Sequence, residues 1–267
     1  MEIMGKTKRN LSVSFLKNVA YLSMFIDHFF AVFFISLLQW GIWQGNTAEN
    51  AEMIYHAGRA VGRVAFILFA FMAAEGVRYT HSKKNYLLRL GIFALLSEIP
   101  FDLAFYDKVF SLEGQNVYFT LFFGVLALCL IEEWQEKWWM QIPYIVLCCA
   151  AAVLLRTDYM IMGVLLIVVF YKCKGRFLPS LIIGSVTVYA GIVLVYMLRY
   201  GGNGTRITAF LRMGTSELYG LAAFAFLYFY NGEKGKQFPK MYYYLFYPLH
   251  LLLLYVARVS AWFCFFR

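Results

Sequence analysis

The sequence predicts an all-α fold: a polytopic transmembrane helix bundle of about nine spans (eight to ten), N-terminus cytoplasmic. Three observations predict it. The 267 residues are 62% hydrophobic and 15% charged, against ~45–50% and ~25% in soluble domains. Apolar runs of helical length recur along the whole chain. Basic residues gather in the short segments between alternate runs, the pattern of cytoplasmic loops.

The runs lie at residues 14–38, 61–79, 86–106, 117–131, 140–155, 159–171, 178–197, 218–230 and 242–263. Several fall short of the ~20 residues a perpendicular span needs, so tilt or local bilayer thinning is expected. The longest non-apolar stretches, 39–60 and 199–217, are read as outer loops. Gly201, Gly202, Asn203 and Gly204 mark a turn in the second. No internal repeat, low-complexity tract or soluble domain divides the chain, and residues 1–267 are read as one integral membrane domain.

Orientation follows from lysine and arginine. Lys6, Lys8, Arg9 and Lys17 precede or open the first run. Arg78, Lys83, Lys84 and Arg89 follow the second, and Lys172, Lys174 and Arg176 follow the sixth. Lys234, Lys236 and Lys240 precede the last. Lys137, in an acidic and Trp-rich connection after the fourth run, fits this pattern weakly. The bias places these segments inside, in a multi-pass inner (cytoplasmic) membrane protein. The first run is too long for a signal-peptide h-region and has no small-residue cleavage site, so it is expected to remain.

A net charge of +9 confined to short loops points to anionic lipid head groups rather than nucleic acid. The five cysteines, at 129, 148, 149, 173 and 264, show no metal-ligand spacing. Neither a disulfide framework nor a bound metal is expected.

The chemistry centres on Asp27 and His28, side by side in the middle of the first run. Asp costs ~2.5–3.5 kcal/mol at the centre of an inserted helix, so intramembrane ionisable residues mark functional sites by default. A polar pair that only fixes helix packing is the competing reading. Neighbouring residues point ~100° apart on a helix, so Asp27 is expected to pair with an Arg on another span. Lys17, eleven positions before His28, lies within ~20° of the same face and ~16 Å away along the axis. That geometry suits a long ligand with an anionic head at the surface and a reactive end in the membrane, such as a coenzyme A thioester. Snorkelling to lipid phosphates is the alternative for Lys17.

Arg59 and Arg63 share a face at the outer end of the second run, with Glu75 near its inner end. Glu98 and Asp102 share a face around Pro100. A structural ion network joining these carboxylates to the two arginines is the favoured reading, with an acid–base pair as the alternative. His250, beside Pro248 in the last run, enters to a depth comparable with His28. The two histidines either share a site or stand apart as core residues. Asn116 and Thr120 open the fourth run as acceptor ligands or helix caps. Arg156 and Asp158 bound a very short outer turn, as a local ion pair.

Taken together, these residues give the sequence a resemblance to the TraX family of membrane proteins. It rests on Leu16-Lys17 through Asp27-His28, Gly62-Arg63 through Glu75-Gly76, Tyr86-Leu-Leu-Arg89, Ser97-Glu98-Ile-Pro100, Asn116 through Thr120, Asp158-Tyr159, and Tyr247-Pro248-Leu-His250. The chain departs from the family pattern at Ile67 and Met160, where Pro and Gly are frequent. The family's named activity is N-terminal acetylation of a conjugative pilin. The Lys17–His28 spacing also resembles the motif of acyltransferase-3 membrane enzymes.

The resemblance implies acetyl (acyl) transfer from cytoplasmic acetyl-coenzyme A, with His28 as general base and Asp27 beside it. Lys17, Lys84 and Arg89 would hold the donor phosphates, and Arg63 or Asn116 would stabilise the oxyanion. The acceptor is open: a peptide N-terminus, a glycan, a lipid head group or a small amine. Two further classes stand beside this reading. One is a proton-coupled transporter using Asp27, Glu98, Asp102 and His250 as a relay. The other is a non-catalytic scaffold of a conjugation or secretion complex. A homodimer is compatible with an aromatic-rich bundle, with no small-xxx-small motif apparent to decide it.

Overall fold

The computed structural model describes residues 9–134, 137–174, 176–200 and 218–266. Lys6 and Lys8, Glu136 and the turn at 201–204 therefore lie outside the described residues, with most of the second long outer stretch. Every regular element described is helical, and the two isolated backbone bridges join Leu11 to Tyr230 and Gln115 to Thr157.

The nine apolar runs correspond to nine helices among the described residues. Helix α1 runs from Val13–His28 through a π-helical segment, Phe29–Phe34, to a last turn at Ile35–Gln39. Helix α2 is Asn46–Tyr79, α3 Lys83–Tyr106, α4 Val117–Glu133 and α5 Trp138–Leu154. Then follow α6 at Met160–Cys173, α7 at Phe177–Tyr200 and α8, a 3-10 turn at Tyr219–Ala222 continued by Ala223–Tyr228. Helix α9 is Lys240–Phe266. Among the described residues, four segments are long and apolar enough to cross a membrane: Val13–Gln39, Asn46–Tyr79, Phe177–Leu194 and Lys240–Phe266. At ten residues α8 is ~15 Å long, half the ~30 Å hydrocarbon core.

Local chemistry sets the boundaries. The Ser12 hydroxyl accepts from the Phe15 N–H at 3.4 Å, Ser82 from Asn85 at 3.2 Å, and Asn116 from Tyr118 at 3.0 Å. Each satisfies an orphan donor of a first turn. Asp107 ends α3 and Lys174 ends α6 in the left-handed conformation. Pro100, Pro143 and Pro248 are accommodated within α3, α5 and α9.

Helix α2 is the axis of the bundle, packed against α1, α4, α6 and α8, while α9 closes the other side against α3 and the π-helical segment. Its contact with α1 is close because Gly58 and Gly62 face it. A Cβ at Gly58 would enter the Phe30 ring, and one at Gly62 would enter the Asp27 side chain. This is a small-xxx-small pair where none was expected, and it joins two helices of one chain rather than two copies.

Helices alternate between two ends. At one end, Val13 N–H donates to the Glu233 carbonyl, Lys172 to Gln141 and Arg78 to the Phe170 carbonyl at 3.1 Å, while Lys83 pairs with Glu132. This is the end that carries the basic segments. At the other, Gln115 N–H donates to the Arg156 carbonyl, Arg258 pairs with Asp107, and Trp40 packs on Phe266.

One boundary expectation is corrected. The stretch 39–60 is mostly helix, since α2 starts at Asn46, fifteen residues before its apolar run. The Thr47 hydroxyl accepts from Gln44 N–H at 3.1 Å at its start, and Ala and Glu along residues 48–60 favour helix without forming a continuous apolar run. His56 is accordingly helical, beside Glu52 at 3.7 Å.

Gly62→Ala is expected to destabilise the protein by about 1–3 kcal/mol, since overpacking forces α1 and α2 apart. Gly91→Ala, whose new Cβ meets only the Phe122 ring at 3.4 Å, is expected to be neutral or stabilising. Thermal unfolding of the two variants in detergent checks the contrast.

Candidate functional site

A cavity of about 230 Å³ lies among α1, α2, α3 and α9, walled on the side away from the basic end by the loops before α4 and α6. Asp27, His28, Arg59, Gly62 and Arg63 form its inner wall. Phe101, Phe105, Tyr106 and Tyr247 supply aromatic surface, and Gln115, Arg156, Asp158 and Tyr159 stand towards the end opposite the basic loops.

Asp27 pairs with an Arg on a neighbouring helix. Arg59 Nη1 lies 2.7 Å from Asp27 Oδ2 and 3.3 Å from the Asp27 carbonyl. The other carboxylate oxygen, Oδ1, is buried without a hydrogen bond among the described residues. An ion pair removed from water needs good geometry to offset desolvation, and breaking one side costs more than the pair contributes.

His28 and His250 share the site. His28 Nδ1 lies 2.6 Å from His250 Nε2, the rings lie nearly parallel, and His250 Nδ1 lies 2.7 Å from the Phe246 carbonyl. For the uncharged pair this chain assigns every proton. The Phe246 carbonyl only accepts, so His250 Nδ1 donates to it. His250 Nε2 then accepts, and His28 Nδ1 donates. His28 Nε2 is left as a lone pair on a residue that lines the cavity. Phe105 and Tyr247 pack edge-on against the His28 ring and hold it.

The turn between α5 and α6 carries the wall opposite the basic end. Arg156 and Met160 both adopt positive φ, 53° and 41°, a conformation costly for side chains other than Gly and concentrated at functional sites. Thr120 Oγ1 accepts from the Tyr159 N–H at 3.4 Å, and the Tyr159 ring stacks on Phe66. The tight turn thereby places Arg156 and Asp158 at the cavity rather than leaving them as a separate surface feature.

Other expected site residues lie elsewhere. Glu98 and Asp102 do not join the two arginines. Asn116 Nδ2 donates to Glu98 at 2.5 Å and to the Ala94 carbonyl at 2.7 Å, and Asp102 Oδ2 accepts from the Ser111 N–H at 2.7 Å. Both carboxylates thus turn from the cavity towards α4 and its preceding loop. Asn116, capping α4 and holding Glu98, is not part of the cavity wall. Glu75 pairs with Arg78 at the basic end.

Lys17 donates to Gln237 at 2.6 Å and lies over the Tyr243 ring, Arg89 faces Tyr244, and Lys84 is exposed. All three sit towards the basic end. Between it and the histidines runs a second cavity of about 290 Å³, lined by Asn18, Tyr21, Leu22, Phe25, Tyr243 and Phe246 among others. Phe25 and Phe246 both touch the His250 ring. Arg59, paired with Asp27, was legible only as the i−4 neighbour of Arg63. Gln115 and Tyr106 gave no sequence signal. Among the described residues no group of three or more His, Cys, Asp or Glu is placed to hold a metal.

The helices and their buried, charged cavity define a membrane protein with several apolar helices. The chain belongs to the TraX protein family, whose model matches residues 12–258 and so spans every residue of both cavities. It is also 28% identical over 252 residues to a probable fimbrial assembly protein FimC, serogroup H1, of Dichelobacter nodosus, covering 91% of this chain and 94% of that protein. No solved structure matches. The comparisons do not support the similarity to acyltransferase-3 enzymes expected from the Lys17–His28 spacing.

His250→Phe is expected to change the His28 tautomer. ¹⁵N NMR of labelled imidazoles should show His28 protonated on Nδ1 in the wild type and shifted towards Nε2–H in the variant. An unchanged His28 spectrum contradicts the assigned chain.

Proposed function

We propose that this protein serves the assembly of a surface fibre from within the membrane, and that the cavity at His28 works by acyl transfer. The printed name of the Dichelobacter nodosus relative supports the first part. The observation that carries the second is the chain from the Phe246 carbonyl through His250 to His28, which leaves a basic lone pair at a cavity.

In this reading the basic end is cytoplasmic, the nine helices cross or enter the membrane, and the cavity opens to the outer side. Acetyl-coenzyme A is the donor substrate. Lys17, Lys84 and Arg89 lie at the end from which it would arrive, and the second cavity lies between Lys17 and the histidine pair. His28 Nε2 accepts the proton of the acceptor amine or hydroxyl as its nitrogen or oxygen attacks the thioester carbonyl. The new N–C or O–C bond forms, the C–S bond breaks, and the proton passes from His28 to the departing thiolate. His250 is a positioning residue that keeps the lone pair on Nε2. Arg63, in the cavity wall, is better placed than Asn116 to stabilise the oxyanion.

The non-catalytic reading, a scaffold of the assembly machinery, is favoured by one observation: the relative is named for assembly and not for a reaction. A proton-relay transporter has less support, because Glu98 and Asp102 are engaged away from the cavity.

The test incubates membranes containing the protein with labelled acetyl-coenzyme A and follows label into protein, lipid and glycan fractions. His28→Ala, checked for unchanged thermal stability, is expected to lower transfer by ~10²-fold or more, the usual contribution of a general base. Equal transfer by the variant removes His28 from the chemistry. No transfer by wild type, with fibre assembly intact in His28→Ala cells, makes the scaffold the correct reading.

A further inference from the structure

We infer that the cavity recognises a carboxylate on the acceptor, through the free edge of Arg59 with Arg156 at the mouth. This deepens the acyl-transfer reading and rests on it, because it takes the cavity as the acceptor site.

The donors of Arg59 are only partly used. Its hydrogen bonds to Asp27 both leave from Nη1. Nε and Nη2 make none among the described residues and are not among the buried unpaired atoms. A guanidinium so held presents its Nε–Nη2 edge, two parallel N–H groups whose spacing matches a carboxylate bidentately. Asp27 fixes the fork in advance, so little rotamer freedom remains to be lost on binding.

Charge points the same way. Arg59, Arg63 and Arg156 line the cavity against Asp27 and Asp158, which leaves one net positive charge for three arginines and two aspartates. A single negative charge balances it. The size restricts the ligand further, since about 230 Å³ is below the ~300–1,000 Å³ of typical small-molecule sites. The cavity therefore admits one end of a larger molecule. Position relates that end to the chemistry: Arg59 bonds the carbonyl of Asp27, the residue before His28. A carboxylate on the Arg59 edge thus lies in the same cavity as the His28 base, and the amine or hydroxyl to be acylated belongs to the same part of the acceptor. Arg156, exposed and held at positive φ by its turn, meets the anion at the opening.

The test measures ligand binding without donor, so that its outcome is read apart from any transfer. Purified protein in detergent is titrated with N-acetylglycine, with its uncharged amide N-acetylglycinamide, and with dimethyl phosphate at constant ionic strength, reading the thermal midpoint. Saturable stabilisation by N-acetylglycine and none by the amide is expected. Arg156→Ala, at an exposed position, should weaken binding by about tenfold, the scale of one charge-assisted contact. The Asp27→Asn/Arg59→Gln double variant, which leaves no buried charge unpaired, should abolish it. Equal response to the amide, no response, or full binding by the double variant overturns the inference. A response to dimethyl phosphate alone overturns the carboxylate assignment and gives the site to a phosphodiester. Carboxylate binding by a protein that transfers no acetyl group upholds recognition and removes only the transfer.

Discussion

The contact between α1 and α2 at Asp27 and Arg59 is the constraint on which the rest of the site depends. Asp27 lies in the middle of a run that the sequence assigns to the membrane and Arg59 at the edge of the next, both largely buried, and an uncompensated buried charge costs several kcal/mol. Each therefore needs the other, and the pair needs the helix axes to be close. Gly62 permits that approach, because any side chain there would occupy the space of Asp27. Gly58 does the same for Phe30 one turn along. With the pair in place, Arg59 also bonds the Asp27 carbonyl, the inner wall of the cavity is set, and His28 follows directly in the chain.

The second arm of the site comes from α9. Pro248 leaves His250 in the same helix as Phe246, whose carbonyl His250 faces across one turn. That local hydrogen bond decides which nitrogen His250 offers to His28. The order of the chain thus gives a direction to the pair: one imidazole is anchored, and the other presents a lone pair to a space that a ligand can enter. The same geometry accounts for the aromatic richness around it. Phe105, Tyr247, Phe25 and Phe246 surround the two rings with edges and faces, which keeps them in place without competing for their nitrogens.

Much of this was legible in the sequence, for identifiable reasons. Apolar run length is a property of each segment alone, so all nine runs reappear as helices. The cost of burying charge singled out Asp27, His28 and His250 before any partner was visible. What was not legible depends on neighbours. Helical periodicity put Glu98 and Asp102 on one face, but the identity of the facing groups, Asn116 and the Ser111 backbone, depends on how α3 meets α4. The first fifteen residues of α2 carry no continuous apolar run, because helix formation there rests on capping and propensity. The contribution of Arg156 and Asp158 depends on a turn with two left-handed residues that nothing in their composition announces. The Gly58–Gly62 pair stands in the sequence, but the partner it faces, Phe30 and Asp27 of α1, depends on how α2 packs.

The coupling of Asp27 and Arg59 measures most directly whether this pair holds the site together. A double-mutant cycle of Asp27→Asn, Arg59→Gln and the pair, read as unfolding stability in detergent, isolates their interaction. Each single variant is expected to lose about 3–5 kcal/mol, the cost of stranding a buried charge, and the double variant far less than their sum. Additive losses contradict this expectation, and would mean that the two charges do not hold α1, α2 and the cavity between them.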